Sequence, residues 1–399
     1  MFRERIQARP NWQAKVEEVG FTYHTLGQEP TDVEGVYWDE TVCYRFNLAE
    51  VESIEAASEV LHDLCLKAVD HIVTHPELMD RFQIPEAYRP YIIRSWQRRD
   101  PYVMGRFDLA FDPATLDVKM LEYNADTPTL VIETAVVQWF WLQDQFPNED
   151  QFNSLHERLI EQYASIGKLI PRGEVLHFSS LPATAEYGSA SWSAEEYQHI
   201  VYFQDLAQQA GIATKFCAIE DIGYNPRPGF VDLDERPIQF WSKLYPWEWL
   251  ADERFGKYLP DDRMGCLEPV WKMLISNKAI LPILWQLFPD CPYLLPTFFE
   301  EDKAALVASG NYVAKPILAR EGANIRLAAP GQADIVTEGS YGESPLIYQE
   351  RASLPVLDGH HVVIGSWMVG ESAAGMILRE ADSPIVVNTS KVVPHYFKD

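Results

Sequence analysis

Met104-Gly-Arg-Phe-Asp-Leu-Ala-Phe-Asp112, followed after a short turn by Lys119-Met-Leu-Glu-Tyr-Asn-Ala-Asp-Thr-Pro-Thr129, is the stretch on which the reading of this chain turns. Arg106 to Phe111 alternates with a period of two, the pattern of a strand with Arg106 and Asp108 on one face. Pro113 to Asp117 supplies a turn, and Val118 to Tyr123 returns as the second strand, with Met120, Glu122 and Asn124 alternating on one face. Two adjacent strand ends then present an arginine, two carboxylates and a carboxamide, with Asp126, Thr127 and Thr129 just beyond. Oxygen ligands of this kind suit Mg²⁺, which takes one or two carboxylates plus phosphate oxygens. The arginine fork suits a carboxylate or a phosphate. The same residues also read as a cross-strand salt bridge running into a capped turn. The hairpin alone leaves both readings open.

Around it, Asn47 to His75 carries apolar residues at helical spacing and predicts a long amphipathic helix that Asn47 caps. Leu130 to Phe146 is apolar nearly all round and predicts a buried helix beneath the hairpin, with Trp139, Phe140 and Trp141 in the core rather than on a carbohydrate platform. Phe152 to Leu169 reads as a further helix. Glu174 to Ser180, a helix around Ala194 to Ala210, and Lys215 to Ile219 give a strand–helix–strand order, and Phe230 to Asp234 and Pro237 to Leu244 add strands. Pro269 to Phe288 is helical, after which short strands are predicted at Tyr312–Pro316, Ile325–Ala328, Leu346–Glu350, Val362–Trp367, Ala373–Leu378 and Ile385–Val387. The expected organisation is α/β (α+β), multi-domain, with mixed sheets and flanking helices. Its expected segments are residues 1–169 with the hairpin, 170–265 as a small α/β substrate unit, and 266–399 as a nucleotide clamp.

Composition bounds the partners. A chain of 399 residues exceeds one typical core, and 47% hydrophobic with 23% charged residues is the balance of a globular protein. A formal net charge of −26 disfavours nucleic acid and anionic membrane surfaces, while leaving room for a local cationic pocket. The same acidity suits a cationic substrate such as a polyamine. Cys43, Cys65, Cys217, Cys266 and Cys291 form no Cys-x-x-Cys pair, which argues against zinc, a redox dithiol or a disulfide framework. The first residues lack an apolar signal core and no run approaches a membrane span, so a cytoplasmic location is expected.

Downstream, Lys278 stands near the start of an apolar helix, where the dipole disfavours an unpaired cation. Lys315 lies within the strand Tyr312-Val-Ala-Lys-Pro316, and burying its ammonium is costly unless it meets a carboxylate or phosphate. The loop Leu318-Ala-Arg-Glu-Gly-Ala-Asn324 follows, with Gly322 able to lay backbone N–H groups against phosphates, although it matches neither a Walker A nor a dinucleotide fingerprint. Leu346 to Glu350 then ends in Gln349 and Glu350, an edge suited to an adenine ring. Arg379 ends an apolar run as either a solvated charge or a clamp for a transferring phosphoryl group.

Met104-Gly-Arg-Phe-Asp, Leu121-Glu-Tyr-Asn-Ala-Asp, Ser276-Asn-Lys-Ala-Ile-Leu-Pro, Val313-Ala-Lys-Pro-Ile with Arg320-Glu-Gly-Ala-Asn, and Gly365-Ser-Trp together resemble the glutathionylspermidine synthetase family, in order and over nearly the whole chain. The resemblance is to its stand-alone acid–amine ligases. It implies an ATP-grasp fold and the joining of a peptide-like carboxylate to an amine, with ATP and Mg²⁺ as cofactors and an acyl phosphate between. Glutathione and the polyamine spermidine are the family's pair. By the same resemblance, Asp108, Glu122 and Asn124 match the metal ligands, and Arg106 an arginine beside the acyl phosphate. Thr127 and Thr129 stand where the family has serines, and Lys278 and Lys315 match ATP-phosphate lysines. The Gly322 loop matches a mobile lid, Gln349 and Glu350 fall near the adenine, and Arg379 matches a transition-state arginine. Two departures bear on substrate. No amidase domain is expected, and Asn388 stands nine residues beyond Arg379, where a substrate-side lysine would be sought, with Lys391 close by. Trp247-Glu248 either sets a carboxylate against a cationic amine or simply packs. Two rival functions are a degenerate nucleotide-binding sensor and a kinase-like phosphotransferase; retention of the charged set speaks against the sensor.

Overall fold

Burial of Phe107, Leu109 and Phe111, three alternate residues on one side of a strand, ties the hairpin to the rest of the chain. The computed structural model describes residues 1–26, 35–182 and 190–398. In it the hairpin runs Met104–Asp112 (β1) and Asp117–Asn124 (β2), and the other strands near the site are Tyr312–Pro316 (β3), Leu346–Glu350 (β4), His360–Val369 (β5) and Ser372–Ala381 (β6). β1 lies between β2 and β5 in an antiparallel sheet that continues through β6 to Lys391–Val393. One sheet therefore draws strands from both the first and the last of the expected segments.

The long helix Leu48–Thr74 (α1) starts as expected. The Asn47 side chain accepts from the Glu50 N–H while the Glu50 carboxylate accepts from the Asn47 N–H, a reciprocal capping box. Its buried stripe, Val51, Ile54, Ala57, Leu61, Cys65, Ala68 and Ile72, joins Phe107, Leu109, Ile364, Met376 and Leu378 in one core. Each large apolar side chain contributes roughly 1.5–3 kcal/mol by leaving water, so this stripe rather than local propensity holds the helix. α1 covers one face of the sheet. The other face is left for polar chemistry at its centre.

Elsewhere the fold is mixed α/β with several sheets. Leu176–Ser179, Thr214–Phe216, Phe240–Lys243 and Gly265–Leu267 form a parallel sheet, with helix Ala190–Gln209 as the expected crossover between the first two. β3 and β4 pair in a separate five-stranded antiparallel sheet. Phe2–Arg5 and His395–Phe397 flank Val42–Phe46, which brings the two ends of the chain together. Among the described residues no helix is long and apolar enough to cross a membrane.

Four expectations change. Met120 does not share the face of Glu122: the register steps from Asp108↔Glu122 to Leu109↔Met120, so Leu121 is the extra residue of a bulge and Met120 turns into the α1 core. Trp139 and Phe140 are 42% and 49% exposed, because helix Gln138–Gln145 buries only its Gln138, Trp141, Leu142 stripe. The segment 269–288 breaks into Lys272–Ile275 and Ile280–Leu287, with the Asn277 carboxamide accepting from Ala279 N–H and donating to the Phe82 carbonyl. Ile385–Val387 is no strand; the Val387 carbonyl goes to Arg379 and its N–H to Ser390 Oγ, so side chains take the place of a ladder.

Burial pushes His62, wedged between the Tyr102 and Tyr123 hydroxyls, and His395 down to about 3 from 6.5. Both are neutral in the folded chain, while the unfolded chain protonates them below about pH 6.5. Their contribution is full above that value and lost as pH falls toward 3, by about 1.4 kcal/mol per pH unit for each. A His62→Gln variant is expected to show a shallower fall of melting temperature between about pH 6 and pH 4. Parallel pH profiles for variant and wild type would refute this.

Candidate functional site

Arg106 and Asp108 point the same way from β1 because they are two residues apart. Opposite Asp108 on β5 is Gly365, and a Cβ there would stand 3.0 Å from both Arg106 Cδ and Ile377 Cγ2. The missing side chain lets Arg106 lie along the sheet, where Nε donates to Asp108 Oδ1 at 2.9 Å and Nη1 to the Thr129 carbonyl at 2.6 Å. That carbonyl is held by a tight turn. Leu130 adopts φ +77°, and the N–H groups of Leu130 and Val131 both donate to His199 Nε2 at 3.1 and 3.2 Å. Burial keeps His199 neutral, as an acceptor must be.

The bulge at Leu121 sets the second half of the site. Glu122 stays beside Asp108, and the Leu121 carbonyl is released to accept from Lys315 Nζ at 3.1 Å. Lys315 also donates to Gln349 Oε1 at 2.7 Å, and Gln349 Nε2 reaches the Met120 carbonyl at 3.2 Å. Lys278, on the break between two short helices, sits 3.0 Å from Glu122 Oε2 and donates to the Ala319 carbonyl at 2.6 Å. Asn124 Nδ2 lies 3.2 Å from Glu122 Oε1 and 3.5 Å from Asp108 Oδ2.

Burial and charge compete across this cluster. Burial raises the Glu122 carboxyl, but Lys278 and Lys315 reverse it and hold it at about 2. Burial raises Asp108; Arg106 opposes the rise while Glu122 adds to it, and the net direction is up. Burial brings Lys315 down to about 8 against the pull of Glu122. Glu122 is therefore a fixed carboxylate, and Lys315 a cation easily lost.

Among the described residues no three His, Cys, Asp or Glu side chains cluster for a metal. The set here is two carboxylates and a carboxamide whose Nδ2 sits between them; turning the Asn124 amide over brings Oδ1 to that point. Three hard oxygens with room for phosphate fit Mg²⁺.

The cluster divides two cavities. Asp108, Glu122 and Lys315 line one of about 510 Å³, with Gly322, Ile325, Ile385 and Val386 also on its walls. Asn124 and Lys278 line another of about 280 Å³, with Thr127, Glu248, Asp252 and Arg320 on its walls.

Of the other sequence-expected residues, Thr127 Oγ1 accepts from Arg320 Nη1 at 2.9 Å, and Thr129 meets Arg106 through its carbonyl. Trp247 is fully buried with its N–H on the Glu268 carbonyl, while Glu248 turns away to pair with Arg320, so this dipeptide splits into packing and site. Arg379 Nη2 donates to the carbonyls of Val387, Asn388 and Ser390, clamping the segment that lines the larger cavity. Gln349 is turned to Lys315 and the Glu350 N–H to the Pro296 carbonyl; Arg351 to Leu354, just beyond, line the larger cavity instead. Sequence reasoning passed over Arg320 and Asp252. Arg320, beside the expected lid glycine, was legible as a loop cation; Asp252 carried no signal beyond its distance of four residues from Glu248.

Comparison with known proteins shows the family of the chain. A glutathione synthetase-like effector (GSS30) from Globodera pallida superposes with a TM-score of 0.59, over 98% of this chain and 100% of that one at 9% identity, a likeness of fold alone. A Haemophilus influenzae protein assigned by name only as an acid–amine ligase is 38% identical over 399 residues, 98% of this chain and 97% of that one. The bifunctional glutathionylspermidine synthetase/amidase of Escherichia coli K12 is 29% identical over 372 residues; the match takes in 87% of this chain and 57% of that protein, little more than half its length. The sequence model described as glutathionylspermidine synthase preATP-grasp matches residues 3–398, a span that holds every residue of the cluster, and by that match the chain belongs to the glutathionylspermidine synthase family.

Proposed function

We propose that this protein is an ATP- and Mg²⁺-dependent acid–amine ligase with an ATP-grasp fold, forming an amide through an acyl phosphate. The observation that carries this reading is the placement of Asp108, Glu122, Asn124 and Lys278 on the wall between two cavities. A nucleotide in the larger one would point its phosphates at the wall, toward an acid and an amine on the other side. The expected segments 1–169, 170–265 and 266–399 are retained as functional regions: hairpin, substrate unit and nucleotide clamp. Five free cysteines suit a reducing cytoplasm.

In this reading Lys278 and Lys315 hold the ATP phosphates, with Gln349 orienting the Lys315 ammonium and Glu350 near the adenine. Asp108, Glu122 and the Asn124 amide oxygen hold Mg²⁺, which when bound neutralises phosphate charge during transfer. Arg106, oriented by the Thr129 carbonyl, and Thr127 hold the substrate carboxylate. Its oxygen bonds to the γ-phosphorus as the bond to ADP breaks. The amine nitrogen then attacks the acyl carbon, phosphate leaves, and the nitrogen loses its proton. Glu248 and Asp252 attract the cationic amine. The Gly322 loop excludes water from the acyl phosphate, and Arg379 stabilises the transferring group through the segment it clamps. The acid is peptide-like and the amine polyamine-like; glutathione and spermidine are the first pair to assay. A nucleotide sensor would have no use for a second, carboxylate-bearing cavity. Incubating a metabolite extract with the protein and Mg·ATP, followed by mass spectrometry, should reveal a new amide and amine-dependent ADP release. No ATP consumption with any amine would overturn the reading.

Arg106→Ala and Glu122→Gln are each expected to lower amine-dependent ADP formation by about 100-fold or more, with circular dichroism unchanged. Near-normal turnover in both would remove the hairpin from the chemistry. A pH effect follows from Lys315: its charge is lost as pH rises through about 8 in the free enzyme. The value of kcat/KM for ATP should therefore fall above about pH 8 in the wild type, and Lys315→Arg should abolish that limb. A flat profile would count against a phosphate contact by this lysine.

A further inference from the structure

Arg320 follows β3 in the loop that carries Gly322, yet its guanidinium does not face the larger cavity beneath that loop. It reaches instead into the smaller one. Nη1 donates to Thr127 Oγ1 at 2.9 Å, Nη2 is ion-paired with Glu248, and the group stands 5.8 Å from the Trp249 ring centroid. Nε is buried without a partner. One cation thus spans the residue assigned to the acid, Thr127, and the residue assigned to the amine, Glu248. The loop is seated behind it: a Cβ on Gly322, which has φ +71°, would come 2.5 Å from the Val386 carbonyl, and Thr337 Oγ1 donates to the Gly322 carbonyl.

Glu248 and Arg320 keep side-chain exposures of 22% and 28%, so solvent and small cations reach the pair. The pair is part-buried rather than sealed, and an ammonium arriving at Glu248 from the cavity competes with Nη2 for the same carboxylate. Asp252, exposed on the same cavity and without an ion-pair partner among the described residues, supplies a second negative charge for an incoming amine. An ammonium that neutralises Glu248 removes the reason for Nη2 to stay. Nη1, already at Thr127, is beside the place where the acid's carboxylate would receive the phosphoryl group.

We propose that Arg320 is a latch: it occupies Glu248 while the amine site is empty, and a cationic amine arriving at Glu248 releases the guanidinium and its loop toward the phosphoryl group. The inference rests on the ligase reading and deepens it. Amine binding then primes phosphoryl transfer, and an acyl phosphate exposed to hydrolysis is not made in the amine's absence.

Hydrogen exchange of residues 318–324, read by mass spectrometry on the full-length protein, tests this with spermidine as the cationic probe. Glu248→Gln, which keeps the size and the hydrogen-bonding oxygen but removes the charge, is expected to exchange about tenfold faster than wild type in this loop. Spermidine should speed the wild-type loop and leave Glu248→Gln unchanged. Thr127→Val, which removes the other tether, should exchange somewhat faster than wild type and still respond to spermidine. Equal exchange in wild type and Glu248→Gln, or a wild-type loop indifferent to spermidine, overturns the latch. Amide formation in the metabolite assay reports the ligase reading separately, so a ligase without a latch and a latch without ligation give different results.

Discussion

Glu122 is half-buried with a lysine on either side, and much of the architecture follows from that. A carboxylate or ammonium taken out of water alone costs several kcal/mol, so each of these charges requires the others nearby. Lys278 comes from a break between two short helices, Lys315 from the middle of a strand, and Glu122 from a hairpin more than 150 residues earlier in the chain. Three segments must converge for any one of the three charges to be tolerated. Arg106 and Asp108 repeat the arrangement one strand over, with Gly365 leaving the space that lets the guanidinium lie flat. In the proposed reading, a cluster so closely compensated exchanges partners as phosphate or a divalent cation enters.

The hairpin was legible because its period-two pattern and its charges agree, and the helix at Leu48–Thr74 because its stripe and its Asn47 cap agree. The bulge was not. Alternation placed Met120 with Glu122, yet one extra residue at Leu121 reverses the face, and nothing in the residue types announces a bulge that a neighbouring strand imposes. The apolar run at Leu130–Phe146 is helical and largely buried as expected, Trp141 included, and only Trp139 and Phe140 depart, for a related reason. Residue type places all three aromatics in the core; Trp141 is there, while Gln138 takes an inward position by hydrogen bonding to the Met376 carbonyl and Trp139 and Phe140 face out. Local pattern reports periodicity. It does not report which face a distant element will cover.

The same limit explains the site. Arg106, Asp108, Glu122, Asn124, Lys278 and Lys315 sit on strands or at a helix break, where sequence spacing determines direction, and the structure brings them together. Arg320 and Asp252 sit on a loop and at a helix end, and their relation to Glu248 exists only in three dimensions. Arg379 ends an apolar run in the sequence, but its partners are the carbonyls of Val387, at the end of the expected strand, and of Asn388 and Ser390 beyond it. Groups carried by strands were found from the sequence. Those positioned by loops had to be seen.

Charge is also divided by depth. The chain carries a formal net charge of −26, yet Arg106, Lys278, Lys315, Arg320 and Arg379 converge on one sheet face and the wall beside it. In the proposed reading, an anionic nucleotide gains little from the long-range field and is captured by contact, in a cavity where low dielectric strengthens each cation. A cationic amine meets the opposite situation. The acidic exterior concentrates it, and Asp252 and Glu248 continue that potential into the smaller cavity. In the proposed ligase reading, the amine is thus drawn by the acidic exterior while the nucleotide is held by contact with cations at the wall. The wall itself carries compensated pairs, so neither molecule is repelled as it arrives there.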